Sequence, residues 1–497
     1  MAQTSPAASS SRAASDGATG KPVPSKRRPL RPRRFASFQT AVRYLDERMN
    51  VERARPARLD PTMFKLDRMR DLLDRLDNPH ERVKTVHIAG SKGKGSTAEM
   101  LTAGLAGCGY AVGLYTSPHL VSPRERIRIN RDWIDEQDFV AALGQVAAAA
   151  TAIEKKFGEA TYFEMTTAMA FQYFAERAVD VAVIEVGLGG RLDSTNVITP
   201  ELCIITAIQL EHTQLLGDNV QQIAREKAGI LKPGVPAFTF NQGKEVLPTL
   251  KEVAEEVGAP LRVLGKDVDF SYRFEADPDL GPHVRVCVSD STTSYEHLPV
   301  PLKGEHQAQN CGLALAALTE LNQRGFSCAE RPVALGLAGT QMHGRLEPAL
   351  DQPRILLDGA HTPESVHAMI KAIGAHIRYD SMVMVFGCAA DKDVDAMLEK
   401  VALGADKIIF TKSSSNPRAC DPHELAKRFA ETSTKMTQVV PDVKEAINTA
   451  ARAVGRDDLI VVCGSFYLAG EAKALLEEGK AKRAEAGKPG QQVEAKA

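Results

Sequence analysis

Eight cysteines are scattered through 497 residues, and no two stand as Cys-x-x-Cys or at a spacing that suits a metal. Their scatter argues against a secreted disulfide framework and for a reducing, cytoplasmic compartment. No stretch approaches the ~18–20 continuous apolar residues of a membrane span. The formal net charge of −1 gives no overall attraction to nucleic acid or to an anionic membrane, so neither is expected as a partner. Lys26 to Arg34 is basic, yet no apolar run follows it, which excludes a secretory signal. Residues 1–34, Ala/Ser/Pro-rich and then Arg/Pro-rich, read as a disordered tail; a weak surface or nucleic-acid contact is the other reading.

The length allows two or three domains and a substantial core. One stretch organises the rest: His87-Ile-Ala-Gly-Ser-Lys-Gly-Lys-Gly-Ser-Thr97. Val83 to Ala89 reads as a buried strand, and Ser96 to Cys108 continues as a helix. Strand, glycine-rich loop, helix is the context of a phosphate-binding loop, in which backbone N–H groups turn onto phosphate oxygens and the helix N-terminus adds partial positive charge. Gly90, Ser91, Gly93, Lys94, Gly95, Ser96 and Thr97 form that candidate site. Lys94 would reach the β/γ-phosphates, and Ser96 or Thr97 would meet Mg²⁺. The usual spacing is not met literally, because Gly95 stands between the lysine and the hydroxyl residue; a plain Gly/Ser turn with two solvated lysines is the alternative.

Along the chain, Phe38–Met49 and Met63–Leu76 read as helices, the second with apolar residues at helical spacing. Ala111–Thr116 is a strand that runs into the polar cluster Ser117-Pro-His-Leu120 and Arg124-Glu-Arg-Ile-Arg-Ile-Asn130, and such a position is where ligands sit in open α/β sheets. Helices follow over Asp135–Phe157 and Phe163–Ala178. The apolar strand Val179–Val186 carries Glu185 late in its run. A buried carboxylate needs a partner: a divalent metal, a basic residue, or a structural salt bridge. Leu202–Ile208 is another strand, ending at Gln209-Leu-Glu-His212, and a helix holds Arg225-Glu-Lys-Ala-Gly229. Taken singly, His212 is a structural histidine and Lys227 a solvated helix lysine; with Glu185 they would surround a second cation.

Residues 261–300 alternate charged and β-branched residues between turn signals, the pattern of a small antiparallel β-subdomain. A helix opens near Gly304. From Met342-His-Gly-Arg345 a fresh α/β series begins, with strands near Arg354–Asp358, Met382–Phe386, Lys407–Thr411 and Leu459–Val462 alternating with helices. That alternation means a parallel sheet covered by helices. The expected division is a tail over 1–34, a nucleotide-binding domain over 35–340, a second α/β domain over 341–479 and a polar, disordered tail over 480–497.

Six motifs agree in order and spacing: Gly90–Thr97; Tyr115-Thr-Ser-Pro-His-Leu120; Glu185-Val-Gly-Leu-Gly-Gly-Arg-Leu-Asp193; Glu226-Lys-Ala-Gly-Ile230; His306-Gln-Ala-Gln-Asn310 with Gly344-Arg345; and Asp358-Gly-Ala-His361. Cys463-Gly-Ser-Phe-Tyr-Leu-Ala-Gly-Glu471 joins them. The set resembles folylpolyglutamate synthase/dihydrofolate synthase, in the Mur ligase superfamily, over about residues 36–478. The resemblance implies an α/β fold: a P-loop-containing Mur-ligase-like central domain with a small β-subdomain, plus a C-terminal Rossmann-like domain. It implies an ATP-dependent acid–amino-acid ligase that activates a substrate carboxylate as an acyl phosphate and lets L-glutamate displace phosphate. The substrates implied are dihydropteroate, reduced folates, or both. By resemblance, Asn310, Arg345 and Asp358 bind the nucleotide, and Lys94, Lys227 and His361 serve the chemistry. Ser117 and Glu185 hold one Mg²⁺, and Glu185 and His212 a second, beside a carbamylated Lys227. Thr161, Phe163 and Asp193 align near the pterin or folate; Phe163 stacks on a flat ring or merely packs its helix. A monomer is expected.

Three positions depart from the family's usual pattern: Lys92 for asparagine, Glu211 before His212 for aspartate, and Thr362 for asparagine. Another Mur-superfamily ligase is the nearest rival, disfavoured because the phosphate loop begins near residue 90 and leaves no separate domain for a UDP-sugar. A nucleotide switch calls for Asp-x-x-Gly and Asn-Lys-x-Asp signals that are not where expected. A folate-binding protein with dead chemistry would bind pterin and release no phosphate.

Overall fold

The computed structural model describes residues 30–50, 52, 66–277 and 281–486. The tail readings for residues 1–29 and 487–497, and the helix start expected at Met63, fall outside them. Within them, the tail boundaries shift. Arg33 N–H donates to Gly144 O at 2.9 Å and its guanidinium lies 4.2 Å from the Tyr44 ring, so the last residues of the expected N-terminal tail are docked. At the other end the helix Phe466–Ala486 runs on through the polar segment, where Lys482 and Glu478 form an i,i+4 ion pair.

Strands of the first sheet are β1 (Thr85–Ala89), β2 (Val112–Tyr115), β3 (Ile127–Ile129), β4 (Asp132–Trp133), β5 (Val181–Glu185), β6 (Leu202–Ile205), β7 (Ala237–Phe240) and β8 (Leu261–Leu264), in the order β4-β3-β2-β5-β1-β6-β7-β8. Only β3 runs against the others; it pairs antiparallel with β2 and β4, and all the remaining pairs are parallel. β1 lies at the centre with all five residues buried, as its β-branched run requires: a parallel strand covered on both faces reads as continuously apolar. The phosphate-loop helix Lys94–Gly107 and the helices His306–Gln323 and Glu330–Ala338 cover one face; Glu136–Phe157 and Tyr162–Glu176 cover the other.

A three-stranded antiparallel sheet follows, β9 (Asp269–Asp277), β10 (Gly281–Ser289) and β11 (Ser294–Pro299), with β10 in the middle. The expected β-subdomain is therefore shorter than 261–300. Leu261–Leu264 leaves the helix Gly243–Val257 and returns parallel to β7, an ordinary βαβ crossover.

The second main sheet contains β12 (Glu347–Asp351), β13 (Arg354–Leu357), β14 (Met382–Phe386), β15 (Lys407–Phe410), β16 (Met436–Val439) and β17 (Leu459–Cys463), in the order β12-β13-β17-β14-β15-β16, with only β12 antiparallel. It carries its own apolar clusters on both faces. Two contacts fasten the small sheet's side to the second body. His376, ending the helix Pro363–His376, lies 2.8 Å from Pro282 O through Nδ1 and accepts from Gly304 N–H through Nε2 at 3.3 Å. A carbonyl only accepts, so Nδ1 carries the proton. Lys371 and Glu305 pair beside it at 2.7 Å.

Glu347, opening β12, accepts from His343 at 2.9 Å and from Gly344 N–H at 2.8 Å, and pairs with Lys473 of the last helix. Burial raises its carboxyl, but these donors prevail and hold it at about 2. A carboxyl lowered on folding stabilises above its unfolded value and loses that contribution as pH falls toward its folded one. Glu347→Gln is expected to lower stability at pH 7 by about 1–2 kcal/mol after solvent screening. Urea titrations at pH 5 and pH 3 then show a smaller acid loss than in the native protein; an unchanged acid loss contradicts the assignment.

A cleft between two sheets as the candidate active site

The carboxyl ends of the central strands of both main sheets face one cleft of about 610 Å³. Ligands collect at such strand ends in α/β sheets. From the first sheet come the loop after β1, Glu185 ending β5, and the segment after β6. From the second come residues after β13, β14 and β17.

The loop's shape follows from its glycines. Gly90 and Gly93 have φ +152° and +91°. A Cβ on Gly90 would run into Thr206 Oγ1, and one on Gly93 into Asn310 Oδ1. Ser91 and Lys92 N–H both donate to Ala207 O, at 2.7 and 3.0 Å, and Ser91 Oγ donates to Gln209 O at 3.0 Å. The loop is thus pinned to the end of β6. Gly93 caps the helix, which starts at Lys94, two residues earlier than expected, so the lysine belongs to its first turn. Lys94 Nζ donates to Gly90 O at 3.0 Å. Gln307 ties the loop helix to the helix His306–Gln323, donating to Ser96 Oγ at 3.3 Å and accepting from Asn310 at 2.9 Å. Thr97 Oγ1 is buried and has no partner.

Glu185 accepts from Ser117 N–H at 3.3 Å. Burial pushes its carboxyl up to about 7, against the pull of Lys94, Ser117 N–H and Arg345. Lys227 is 1 % exposed and donates to Glu211 Oε1 at 2.8 Å and Gly90 O at 2.9 Å. Burial lowers the lysine to about 8; burial alone would raise Glu211, but Lys227 holds it at about 2. His212 opens the short helix Thr213–Leu216 from a left-handed backbone, φ +47°. Its ring is lowered to about 4 by burial against the cleft wall, with Lys392, Lys227 and Lys94 adding to the effect and Glu211 opposing it.

From the second sheet, Asp358 follows β13 and accepts from Leu346 N–H at 2.9 Å and Ala360 N–H at 2.8 Å. The Arg345 guanidinium lies 4.4 Å from the Phe466 ring and is lowered by burial while Asp358 and Glu185 raise it. His361 lies 2.7 Å from Gly359 O through Nδ1, which places the proton there and leaves Nε2 as an acceptor. Burial, with Lys92 nearby, lowers this ring to about 3.

The far wall holds the expected folate-side residues. Thr161 caps the helix Tyr162–Glu176 by accepting from Glu164 N–H at 3.2 Å. Phe163 lies over Gly187, where a Cβ would run into its ring, and 5.8 Å from the Tyr115 ring. Asp193 lines the cleft, yet both its oxygens are engaged: Oδ2 by Leu188 N–H at 2.8 Å, and Oδ1 by Thr195 N–H and Oγ1 at 3.0 and 2.5 Å. Thr195 Oγ1 in turn meets His87 Nε2 at 2.8 Å. In this structure Asp193 shapes the Gly187–Asn196 loop.

Three comparisons with known proteins bear on these observations. Residues 88–318 match the Mur ligase middle domain, and residues 344–466 the glutamate ligase domain of Mur ligases. The dihydrofolate synthase/folylpolyglutamate synthase of Bacillus subtilis is 33 % identical over 415 residues, 83 % of this chain and 95 % of that one. The chain belongs to the folylpolyglutamate synthase/dihydrofolate synthase family. The Mycobacterium tuberculosis family member of the same name is 34 % identical over 477 residues, covering 89 % of this chain and 95 % of its own. A solved M. tuberculosis folylpolyglutamate synthase complexed with ADP superposes with a TM-score of 0.79 at 32 % identity, covering 89 % of this chain and 98 % of that one. The Escherichia coli FolC complex with DHPP and ADP gives 0.77 at 28 % identity, covering 91 % and 100 %.

Against the family's expected metal sites, the residues divide. Glu185 and Ser117 fit a Mg²⁺: a buried carboxyl with no carboxylate-bound cation of its own, beside a hydroxyl residue, is the sparse oxygen set that Mg²⁺ completes with phosphates and water. At the expected second site, Lys227 Nζ pairs with Glu211 Oε1 at 2.8 Å, and Glu185 and His212 line the same cleft. Among the described residues no three His, Cys, Asp or Glu side chains converge on one point, and no helix is long and apolar enough to cross a membrane.

Several cleft residues escape sequence reading. Arg126, in a run marked only as polar, is buried in a pair with Glu52 and also donates to His119 Nδ1 at 2.8 Å. Arg418 donates to Glu52 O at 3.1 Å, joining the two bodies. Lys392 and Arg418 follow β14 and β15, and their place after parallel strands is the signal that marks them.

Proposed function

We propose that this chain is an ATP-dependent ligase that adds L-glutamate to dihydropteroate, to (poly)glutamylated reduced folate, or to both. One observation carries the reading: a phosphate loop and Glu185 on one sheet face Arg345 and His361 on another across a single cleft, with Asp358 buried beside Arg345, and the far wall is the aromatic side of Phe163. Relatives under both activity names, and relatives solved with ADP, support it.

The acceptor carboxylate attacks the γ-phosphorus of ATP, ADP leaves, and an acyl phosphate remains. The amine of glutamate then attacks the acyl carbon and phosphate leaves. Such chemistry needs alignment and charge neutralisation more than covalent help. The loop amides and Lys94 cradle the phosphates, while Asn310 and Gln307 keep the loop in register. Arg345 approaches Glu185 from the other sheet, so its guanidinium arrives only when the two bodies are together. His361 stays neutral at pH 7 and orients the incoming amine as an acceptor at Nε2; at about 3 it is too weak a base to hold the proton. Enclosure keeps water from the acyl phosphate.

Mg²⁺ bound at Glu185 and Ser117 would neutralise phosphate charge and polarise the γ-phosphoryl group. Glu185 and His212 would hold a second ion, with Lys227 beside them as a carbamate. Residues 35–340 and 341–479 act as the two units. The reading takes the protein as a monomer, and eight free thiols suit the cytoplasm.

Phosphate release with ATP, Mg²⁺ and L-glutamate tests the reading, with dihydropteroate and tetrahydrofolate compared as acceptors. Release that requires both glutamate and a pterin acceptor is expected. Release without an acceptor would mean a plain ATPase; no release with either acceptor would sink the substrate assignment.

A further inference from the structure

Glu185, Glu211, Lys92, Lys94, Lys392 and Arg345 line the cleft, with Lys227 and Asp358 buried behind them. Glu211 is taken by Lys227 at 2.8 Å. Glu185 lies between Lys94 and Arg345, and Asp358 beside Arg345. Two lysines are left over, and they come from opposite bodies. Lys92 belongs to the phosphate loop, its backbone held on Ala207 O at 3.0 Å, so the loop cannot carry it out of the cleft. Lys392 follows β14 of the second sheet. Both side chains line the cleft, and neither makes a hydrogen bond or ion pair with a described residue. Both lie near His361. Lys92 is lowered to about 8 by burial, and then by Arg345, Lys94 and Lys392 against Glu211. Like charges converging from two bodies in a partly desolvated cleft repel each other, and an anion between them reverses the sign.

We propose that Lys92 and Lys392 form a cross-domain clamp on the phosphoryl group in transfer, each donating to its oxygens when the two bodies close. This rests on the ligase reading. The position of Lys92 selects the anion. It stands two residues before Lys94, in a loop whose amides and helix N-terminus already point at phosphates. The terminal phosphoryl group spreads its charge over three oxygens and moves from nucleotide to acceptor, so a donor from each side can follow it across. During that step the P–O bond to ADP breaks as the bond from the carboxylate oxygen to phosphorus forms. No proton moves, and both lysines remain ammonium ions.

The clamp is read by comparing ADP with a β,γ-methylene ATP analogue in calorimetry, with Mg²⁺ and the full chain. ADP lacks the clamped group and serves as the internal control. Lys92→Met and Lys392→Met are each expected to weaken the analogue about 10-fold relative to ADP, the size of one lost charge-assisted hydrogen bond, while Lys92→Arg retains most of the difference. Small-angle scattering is expected to show compaction with the analogue in the native protein and less in either methionine variant. Equal effects on ADP and analogue, or none on either, would overturn the clamp. Failure of the native protein to bind ADP would instead overturn the nucleotide-site reading.

Discussion

Lys94→Ala abolishes phosphate release and leaves the protein folded. The side chain sits in the first turn of the loop helix, where the helix N-terminus and loop amides set an ammonium against the β/γ-phosphates. Removing a preorganised donor from such a site costs about 10²–10³ in rate; here it also removes the cation that pulls hardest on Glu185, so a fall of at least about 10³ is expected. The fold survives for a local reason. Gly90 O accepts from two lysines, Lys94 at 3.0 Å and Lys227 at 2.9 Å, so one donor remains when Lys94 is gone. The loop keeps its bonds from Ser91 and Lys92 N–H to Ala207 O. Glu185, raised to about 7 already, protonates more readily instead of standing as an unpaired charge. Phosphate release and a thermal melt check both halves. Turnover near the native rate would refute the loop assignment, and a melt lowered by more than about 8 °C would mean that Lys94 holds the fold as well.

That the loop was legible in the sequence, and the site only in part, has a physical basis. β1 and its loop announce themselves because burial on both faces demands β-branched residues, and because left-handed turns pressed against Thr206 and Asn310 demand glycine. β16 is silent for the opposite reason: Met436–Val439 lies at a sheet edge with nearly all its residues exposed, so no apolar pattern is required of it. Leu261–Leu264 carries a strand signal, but nothing local says whether it joins its sequence neighbours or β7. Glu185 was readable as a buried carboxylate late in a strand. The partner of Lys227 was not, because Glu211 lies 16 residues away and is brought back by the left-handed turn at His212. Pairing across the cleft is less readable still: Glu52 meets Arg126 and Arg418, residues that share no motif and come together only when both sheets are in place.

Lys227→Ala is expected to lose activity, and bicarbonate is not expected to restore it. Breaking a buried ion pair costs about 3–5 kcal/mol, because it strands the surviving charge. Glu211 keeps 19 % of its side chain exposed, and screening reduces the expected loss to about 2–3 kcal/mol. The same truncation takes the buried nitrogen from behind Gly90 O; Lys94 and the bonds to Ala207 O still tether the loop, but a shift near 1 Å at the reacting atoms is enough for about a 100-fold loss in rate. Stability and activity then separate in a second variant. Lys227→Ala combined with Glu211→Gln removes the stranded charge, so the urea midpoint recovers part of its loss. Phosphate release does not recover, because the lysine nitrogen behind Gly90 is still missing. Parallel recovery of both would make Lys227 a structural counter-ion to Glu211 and nothing more. An active single variant would remove both the loop role and any carbamate at this position, since each requires the lysine nitrogen behind Gly90.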